Sequence, residues 1–292
     1  MEAKPLSLHS LSAANLCFTE LEKDLEVFHD FLLVDRQKSK RTARDYRALI
    51  RRLFKNVEVV TVESLRAYLK GLKESCSRDY YSVTLSAMKA YFRDYKGLPQ
   101  LVSTFKFPRK TEKPKVIPSK EDLRRFYEAL PTLRLKAYFL LTATSGLRKA
   151  EVLGLDVSDV DFKLRMLIPK NHIGATKHSW VTFYNEEAES VLMLFRGNMT
   201  SKQKASPKLI PIGSREFKCG WRIAKEKTGL KITSKMLRDW FAEEMGNLGV
   251  ADRYIDEFQG RTPRTVLARN YTDYSPGKMK QRYDRANLKA LP

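Results

Sequence analysis

The side chains best suited to chemistry lie between Lys235 and Tyr271. Lys235 and Arg238 are three apart in a segment with helical period, so they share one face. Leu237, Trp240, Phe241, Met245 and Leu248 form the apolar stripe that docks this helix. Gly260 reads as the stop of a following helix and places Arg261 just beyond it. Thr262-Pro263 reads as the N-cap and first position of the next helix, which delivers Tyr271 at its far end. Three cations and one phenol thus have a route to one place. A phenol beside fixed cations suits attack on a phosphodiester, because the cations offset charge on the non-bridging oxygens and favour phenolate.

The rest of the chain must position these groups and bring them a substrate. Its 55 Lys and Arg against 34 Asp and Glu leave a net charge of +21, which points to a polyanion, nucleic acid or an anionic membrane. No apolar run approaches the length of a membrane span. The N-terminus lacks the apolar core of a signal peptide, so the expected setting is the cytoplasm, beside the nucleoid. Cys17, Cys76 and Cys219 are scattered and odd in number, which suggests neither a disulfide framework nor a zinc site. No metal and no cofactor are implied, since protein cations meet the phosphate charge.

In chain order, residues 1–18 read as a loose leader. Thr19-Glu20-Leu21-Glu22 resembles a capping box, and Leu21, Leu25, Phe28 and Leu32 mark one face of a first helix. Lys38 and Lys40 fall in a basic loop. The second helix carries Tyr46, Leu49, Ile50 and Leu53 inward, with Arg41, Arg44, Arg47 and Arg51 on another face. That stripe is the strongest DNA-backbone candidate of the first third, against the plainer reading of a solvated helix face. Thr61 opens a third helix and Ser77 a fourth, the latter with Tyr81, Met88, Phe92 and Tyr95 on its core side. Arg78, Lys89 and Arg93 offer further phosphate contacts. Four amphipathic helices with short connections make a small bundle over residues 19–105. Residues 106–118 alternate Lys106, Arg109, Lys110, Lys113 and Lys115 with three prolines, which reads as a basic extended linker; Arg109, Lys110 and Lys113 are its DNA-contact candidates.

Residues 119–292 read as a second domain. Ser119 starts a helix, and another follows Pro131 and ends near Ser145-Gly146. Arg148 then opens a short helix, a position from which a guanidinium can meet an anion, with Glu151 placed to orient it. Residues 161–168 and 178–184 alternate as two strands of a hairpin with a long turn over 170–177. Further helices start at Asn185 and Ser214, Thr233 caps the one bearing Lys235 and Arg238, and Ser275-Pro276 opens a last one; residues 198–208 read as a polar loop.

Three motifs in order resemble the tyrosine recombinase (phage-type integrase) family. Ser145-Gly146-Leu147-Arg148-Lys149-Ala150-Glu151 matches its Gly-Leu-Arg-x-x-Glu signature. Leu237, Arg238, Phe241 and Ala242 match the His-x-x-Arg box, with Lys235 in the His place. Gly260-Arg261 and Tyr271-Thr272 match the third box, with Arg261 in the place of His or Trp. These two replacements resemble the archaeal virus and plasmid, fusellovirus-type, branch. The resemblance implies two domains: an N-terminal all-α helical bundle of the core-binding, SAM-like kind, and a C-terminal mainly α catalytic domain with a small β-hairpin or sheet. It implies a clamp on double-stranded DNA, homo-oligomers with a dimer per site and a tetramer at synapsis, and no membrane role.

The same resemblance implies that Tyr271 attacks in line to leave a 3′-phosphotyrosyl bond, with Arg148 and Arg238 on the non-bridging oxygens. It also places a lysine on the β-hairpin; Lys177 fits, with Lys170 as the alternative, and such a lysine can protonate the leaving oxygen. Lys235 and Arg261 are mainly electrostatic contacts, with Lys235 also a candidate base, and His178 is a bystander or a DNA contact. Tyr274 is the rival nucleophile. Two other functions compete: nicking and resealing of the type IB topoisomerase kind, and catalytically silent DNA-binding regulation.

Overall fold

The computed structural model describes residues 18–109, 114–169, 181–261 and 265–292. The chain divides into two compact units, one up to Lys113 and one from Pro114.

The first unit is helical. It contains α1 (Phe18–Val34), α2 (Lys40–Asn56), α3 (Val62–Ser75) and α4 (Arg78–Met88). Ser39, Thr61 and Ser77 cap the last three, each side chain accepting a backbone N–H of the first turn. Thr19 is no cap, because α1 already runs through it. The fourth helix is not uniform: α4 passes without a break into a seven-residue π-helix, Lys89–Tyr95. The wider turn brings the Tyr91 and Tyr95 phenols (2.5 and 2.9 Å) and the Lys96 ammonium onto the Asp24 carboxylate of α1. Leu25, Phe28, Leu32, Ile50, Leu53, Leu65, Met88 and Phe92 fill the core. Leu101 and Val102, outside the helix faces read from periodicity, join it.

The second unit is built around α6 (Leu133–Ser145), buried from Ala137 to Ser145 on every side. Its buried polar side chains, Thr142, Thr144 and Ser145, return their hydroxyls to carbonyls of the helix itself, so other elements can cover every side. It follows α5 (Lys120–Glu128) and precedes the short α7 (Lys149–Gly154). Next comes a three-stranded antiparallel sheet, β1 (Val160–Asp161), β2 (Met166–Leu167) and β3 (Thr182–Phe183) in that order. Here the expectation of one strand over 161–168 is corrected. The Asp161 carboxylate accepts from the N–H groups of Lys163 and Leu164 (2.9 and 3.0 Å), and Arg165 takes a left-handed φ of 51°, so the chain reverses inside that stretch.

Then follow α8 (Glu186–Gly197), α9 (Ser201–Lys204), α10 (Ser214–Thr228), α11 (Ser234–Asn247), α12 (Asp252–Phe258), α13 (Val266–Asn270) and α14 (Pro276–Ala286). α6 packs on α8 and α11. The short α9, capped by Thr200, lies in the stretch expected to be loop. Thr265, not Thr262, caps α13, its side chain accepting from the Ala268 N–H at 3.1 Å; Thr262 and Pro263 lie outside the described residues. The chain end packs on its own unit. The Tyr283 hydroxyl donates to Thr144 O (2.8 Å), Asn185 donates to Leu288 O (2.9 Å), and Glu187 accepts from the Ala290 and Leu291 N–H groups (2.7 and 3.1 Å).

Candidate active site

Arg238 lies on α11 one turn after Lys235. Leu237, Trp240, Phe241 and Met245 bury their side of that helix, whereas Leu248, expected in the same stripe, is partly exposed at its end. Arg238 is itself only 8% exposed. Its Nη1 donates to Gly146 O at 2.6 Å and its Nη2 to Gln259 O. Gln259 returns a bond from Nε2 to Arg238 O at 2.6 Å, so side chain and backbone of the two residues lock each other. A guanidinium has five N–H donors, and these carbonyls use two of them.

Gly146 is a glycine for two separate reasons. It ends α6 with a left-handed φ of 68°. A Cβ there would also lie 2.5 Å from Cδ1 of Phe241, the residue one turn after Arg238. The chain then places Arg148 as N-cap of α7, where the Glu151 Oε2 accepts the Arg148 backbone N–H at 2.6 Å. The Glu151 Oε1 accepts from Arg148 Nη1 at 2.6 Å, and Arg148 Nη2 donates to Gly260 O at 3.2 Å. Glu151 Oε2 lies 3.8 Å from Arg238 Nη1. One carboxylate therefore bridges the two guanidiniums and offsets their repulsion. Burial, and then Arg148, push the Arg238 pKa down to about 10, so it stays charged at neutral pH.

The carbonyls of Gln259 and Gly260 are aimed by the end of α12. The Gly260 N–H donates to Glu257 O (2.9 Å) and the Arg261 N–H to Asp256 O (2.8 Å), a paired closure with Gly260 at a left-handed φ of 57°. Arg261 is thereby carried past the helix end, its Nη1 3.4 Å from Asp256 Oδ1 and its charge felt at Arg238. Lys235 is exposed in the first turn of α11. Sequence reading singled out Glu151 but missed Gln259. Its signal is only a buried polar residue next to a helix-ending glycine.

Tyr271 is the C-cap of α13 and is 76% exposed. Tyr274 is different: its hydroxyl donates to Ala268 O at 2.6 Å and its ring packs on Tyr254. Lys177, Lys170 and His178 lie outside the described residues. The strand after them is fastened to the site, because the Thr182 hydroxyl donates to Ser145 O at 2.7 Å.

In the first unit the expected phosphate contacts fall into two groups. Lys38, Lys40, Arg41 and Arg44 are exposed. Arg47 pairs with Glu26 of α1 at 2.7 Å, and Arg51 makes a two-pronged pair with Glu22 of α1. Arg93 likewise pairs with Asp94 (2.7 Å). The Arg78 Nη1 donates to the carbonyl of the exposed Arg109 (3.1 Å), and Lys89 sits over the Phe107 ring. Lys110 and Lys113 lie outside the described residues.

An arginine pair shares one carboxylate and is locked by carbonyls at a helix end, with an exposed tyrosine further along the chain, and its charge suits an oxyanion. The phage integrase family model matches residues 118–277, more than half of the chain. The chain belongs to the phage integrase family, the tyrosine-type site-specific recombinases. It is 26% identical over 284 residues to the tyrosine recombinase XerA of Pyrococcus furiosus, covering 90% of this chain and 94% of the relative. The tyrosine recombinase XerA of Thermococcus onnurineus is 26% identical over 271 residues, with 86% and 91% covered. Among solved structures, a lambda integrase dimer bound to a COC′ core site has a TM-score of 0.67 at 14% identity, covering 88% of this chain and 99% of that one. A lambda integrase tetramer bound to a Holliday junction has a TM-score of 0.67 at 14% identity, covering 87% and 80%. Among the described residues no helix is long and apolar enough to cross a membrane.

Proposed function

We propose that this chain cuts and rejoins double-stranded DNA at specific sites, with Tyr271 as nucleophile. The Tyr271 phenol oxygen attacks phosphorus in line and forms a 3′-phosphotyrosyl bond. The P–O bond to the 5′-oxygen breaks, and that oxygen leaves with a proton as a free 5′-hydroxyl. Reversal by another 5′-hydroxyl rejoins the strand, so the covalent bond conserves the energy and no nucleotide cofactor enters. Arg148 and Arg238 hold the non-bridging oxygens, Arg261 and Lys235 add charge, and Lys177, with Lys170 as alternative, protonates the leaving oxygen.

The observation that carries this reading is the Arg148–Glu151–Arg238 arrangement. Two guanidiniums are fixed by backbone carbonyls of the fold itself, as electrostatic preorganisation requires. Tyr271 is exposed a short way along the chain, while its rival Tyr274 has its hydroxyl committed.

Residues 19–105 form the core-binding domain, 106–118 the linker and 119–292 the catalytic domain. The net charge of +21 supports a DNA partner. The solved relatives bound to DNA as a dimer and as a tetramer support homo-oligomers on DNA, a dimer per site and a tetramer at synapsis. Lysine and arginine where the family has His, or His and Trp, support a place in the archaeal virus and plasmid branch, inside a host cell.

The test is a nicked suicide duplex, followed by mass mapping of the DNA-linked peptide. The expected peptide carries Tyr271, and Tyr271→Phe gives no adduct while still binding DNA. A DNA-bound wild-type chain that never forms an adduct would be a silent regulator instead. Loss of supercoils without strand exchange between two duplexes would make it a topoisomerase-like enzyme.

A further inference from the structure

The helix that presents Tyr271 has little to hold it. α13 spans five residues, and its Val266 and Leu267 are 69% and 60% exposed. Ala268 is buried. So short a helix is not stable by its own hydrogen bonds and takes its place from tertiary contacts. A helix end leaves its last carbonyls to partners from outside the regular pattern. Leu267 O accepts the Tyr271 N–H at 3.0 Å and also the Thr272 hydroxyl at 3.2 Å, whereas Ala268 O accepts the Tyr274 hydroxyl at 2.6 Å.

The two hydroxyl bonds differ in what they are attached to. Thr272 is the residue after Tyr271 and moves with it. Tyr274 is half-buried against the core of its unit, its ring edge-on to that of Tyr254 on α12 with 6.0 Å between centroids. The Tyr254 ring is flanked in turn by the guanidiniums of Arg253 and Arg282, 5.0 and 5.2 Å from its centroid. The other end of α12 supplies the carbonyls that fix Arg238 and Arg148. Through Tyr274, the helix carrying the nucleophile is therefore tied to the element that also orients the phosphate-binding arginines.

We propose that Tyr274 is a positioning residue: its phenol hydroxyl, by holding the Ala268 carbonyl, sets where Tyr271 stands relative to Arg148 and Arg238. This rests on Tyr271 being the nucleophile. The two tyrosines, three residues apart, then have opposite tasks. Tyr271 is left open to react, and Tyr274 has its hydroxyl committed to a carbonyl, with burial pushing its pKa upward.

Tyr274→Phe keeps the ring on Tyr254 and removes one oxygen, so it tests the hydroxyl alone. Four quantities are compared in the full chain: single-turnover cleavage of the nicked duplex, DNA Kd, the thermal midpoint, and hydrogen exchange of the α13 amides. Misplaced attack geometry predicts cleavage slower by ~10- to 100-fold, with Kd unchanged within about two-fold and α13 amides exchanging faster. A merely structural loss would lower the thermal midpoint instead and leave cleavage of the folded fraction intact. A duplex with sulfur as the bridging leaving atom adds a second check. It relieves a missing proton donor, so the slow rate must persist if the defect lies in attack. Wild-type cleavage by Tyr274→Phe, with the adduct still on Tyr271, overturns the positioning role and leaves the nucleophile assignment standing. An adduct mapped to Tyr274 in the wild-type chain overturns both.

Discussion

The Arg238 Nη1 donates to the Gly146 carbonyl at 2.6 Å, joining two motifs 92 positions apart. The same approach brings the Phe241 ring against the Gly146 Cα. The glycine is thus read twice by α11, once through its oxygen and once through its missing side chain.

Gly146→Ala therefore carries two penalties. The left-handed φ disfavours a Cβ, and that Cβ would lie 2.5 Å from Phe241 Cδ1. Overpacking of this kind costs about 1–3 kcal/mol. The expected result is a lower urea midpoint together with slowed cleavage, because the Arg238 acceptor must move. Unchanged values in both measurements would contradict the packing described.

Arg238→Lys keeps the charge and loses both carbonyl locks. Removing one preorganised donor from a charged transition state costs ~10²–10³ in rate, and the same is expected for Arg148→Lys. Gln259→Leu should act in the same direction with a smaller effect, since it leaves the Arg238 carbonyl without the Gln259 amide. Single-turnover cleavage at saturating DNA reads all three. A change confined to Kd would mean that these groups only bind.

The stripe on α2 separates by salt dependence. If ~6–10 phosphates are contacted, the log–log slope of affinity against salt is roughly −5 to −9. Arg44→Gln removes an exposed cation and should reduce the slope by about 1. Arg51→Gln removes a partner of Glu22 and should lower thermal stability while leaving the slope nearly unchanged. The reverse pattern would place Arg51, and not Arg44, on the DNA.

Acid sensitivity of the first unit follows from Asp94. Hydrogen bonds from Arg93 hold its carboxyl below the usual range, with Arg36 adding to the effect. Between the folded and unfolded values the unfolded chain binds more protons, so stability rises with pH there. The contribution is complete above the unfolded pKa of roughly 4 and is lost as pH falls through the folded value. Asp94→Asn should flatten that part of the stability curve. Denaturant melts from pH 2 to 6 measure it.

Much of this molecule was legible in the chain because its signals are local. Thr61, Ser77, Ser119 and Thr233 cap helices through bonds to their own first turns. Helix period gave the buried faces, and the motifs singled out Arg148 and Arg238, which the fold brings onto one carboxylate. Where local signals compete, the reading failed. Leu164, Met166 and Ile168 alternate like a strand, yet the Asp161 side chain captures the backbone and turns it.

Pairings between distant segments were decided by the tertiary structure, since a side chain's partner across the fold leaves no period in the sequence. Arg47 and Arg44 are indistinguishable as residues on one helix, and it is the approach of Glu26 on α1 that gives Arg47 a partner at 2.7 Å. Gln259 looks ordinary until α12 brings it against Arg238. Tyr271 and Tyr274 are both phenols near one helix end, and folding leaves one exposed while giving the other a carbonyl to hold. Residue type set which chemistry was available, and burial with hydrogen-bond geometry decided which of these side chains are held and which stay open.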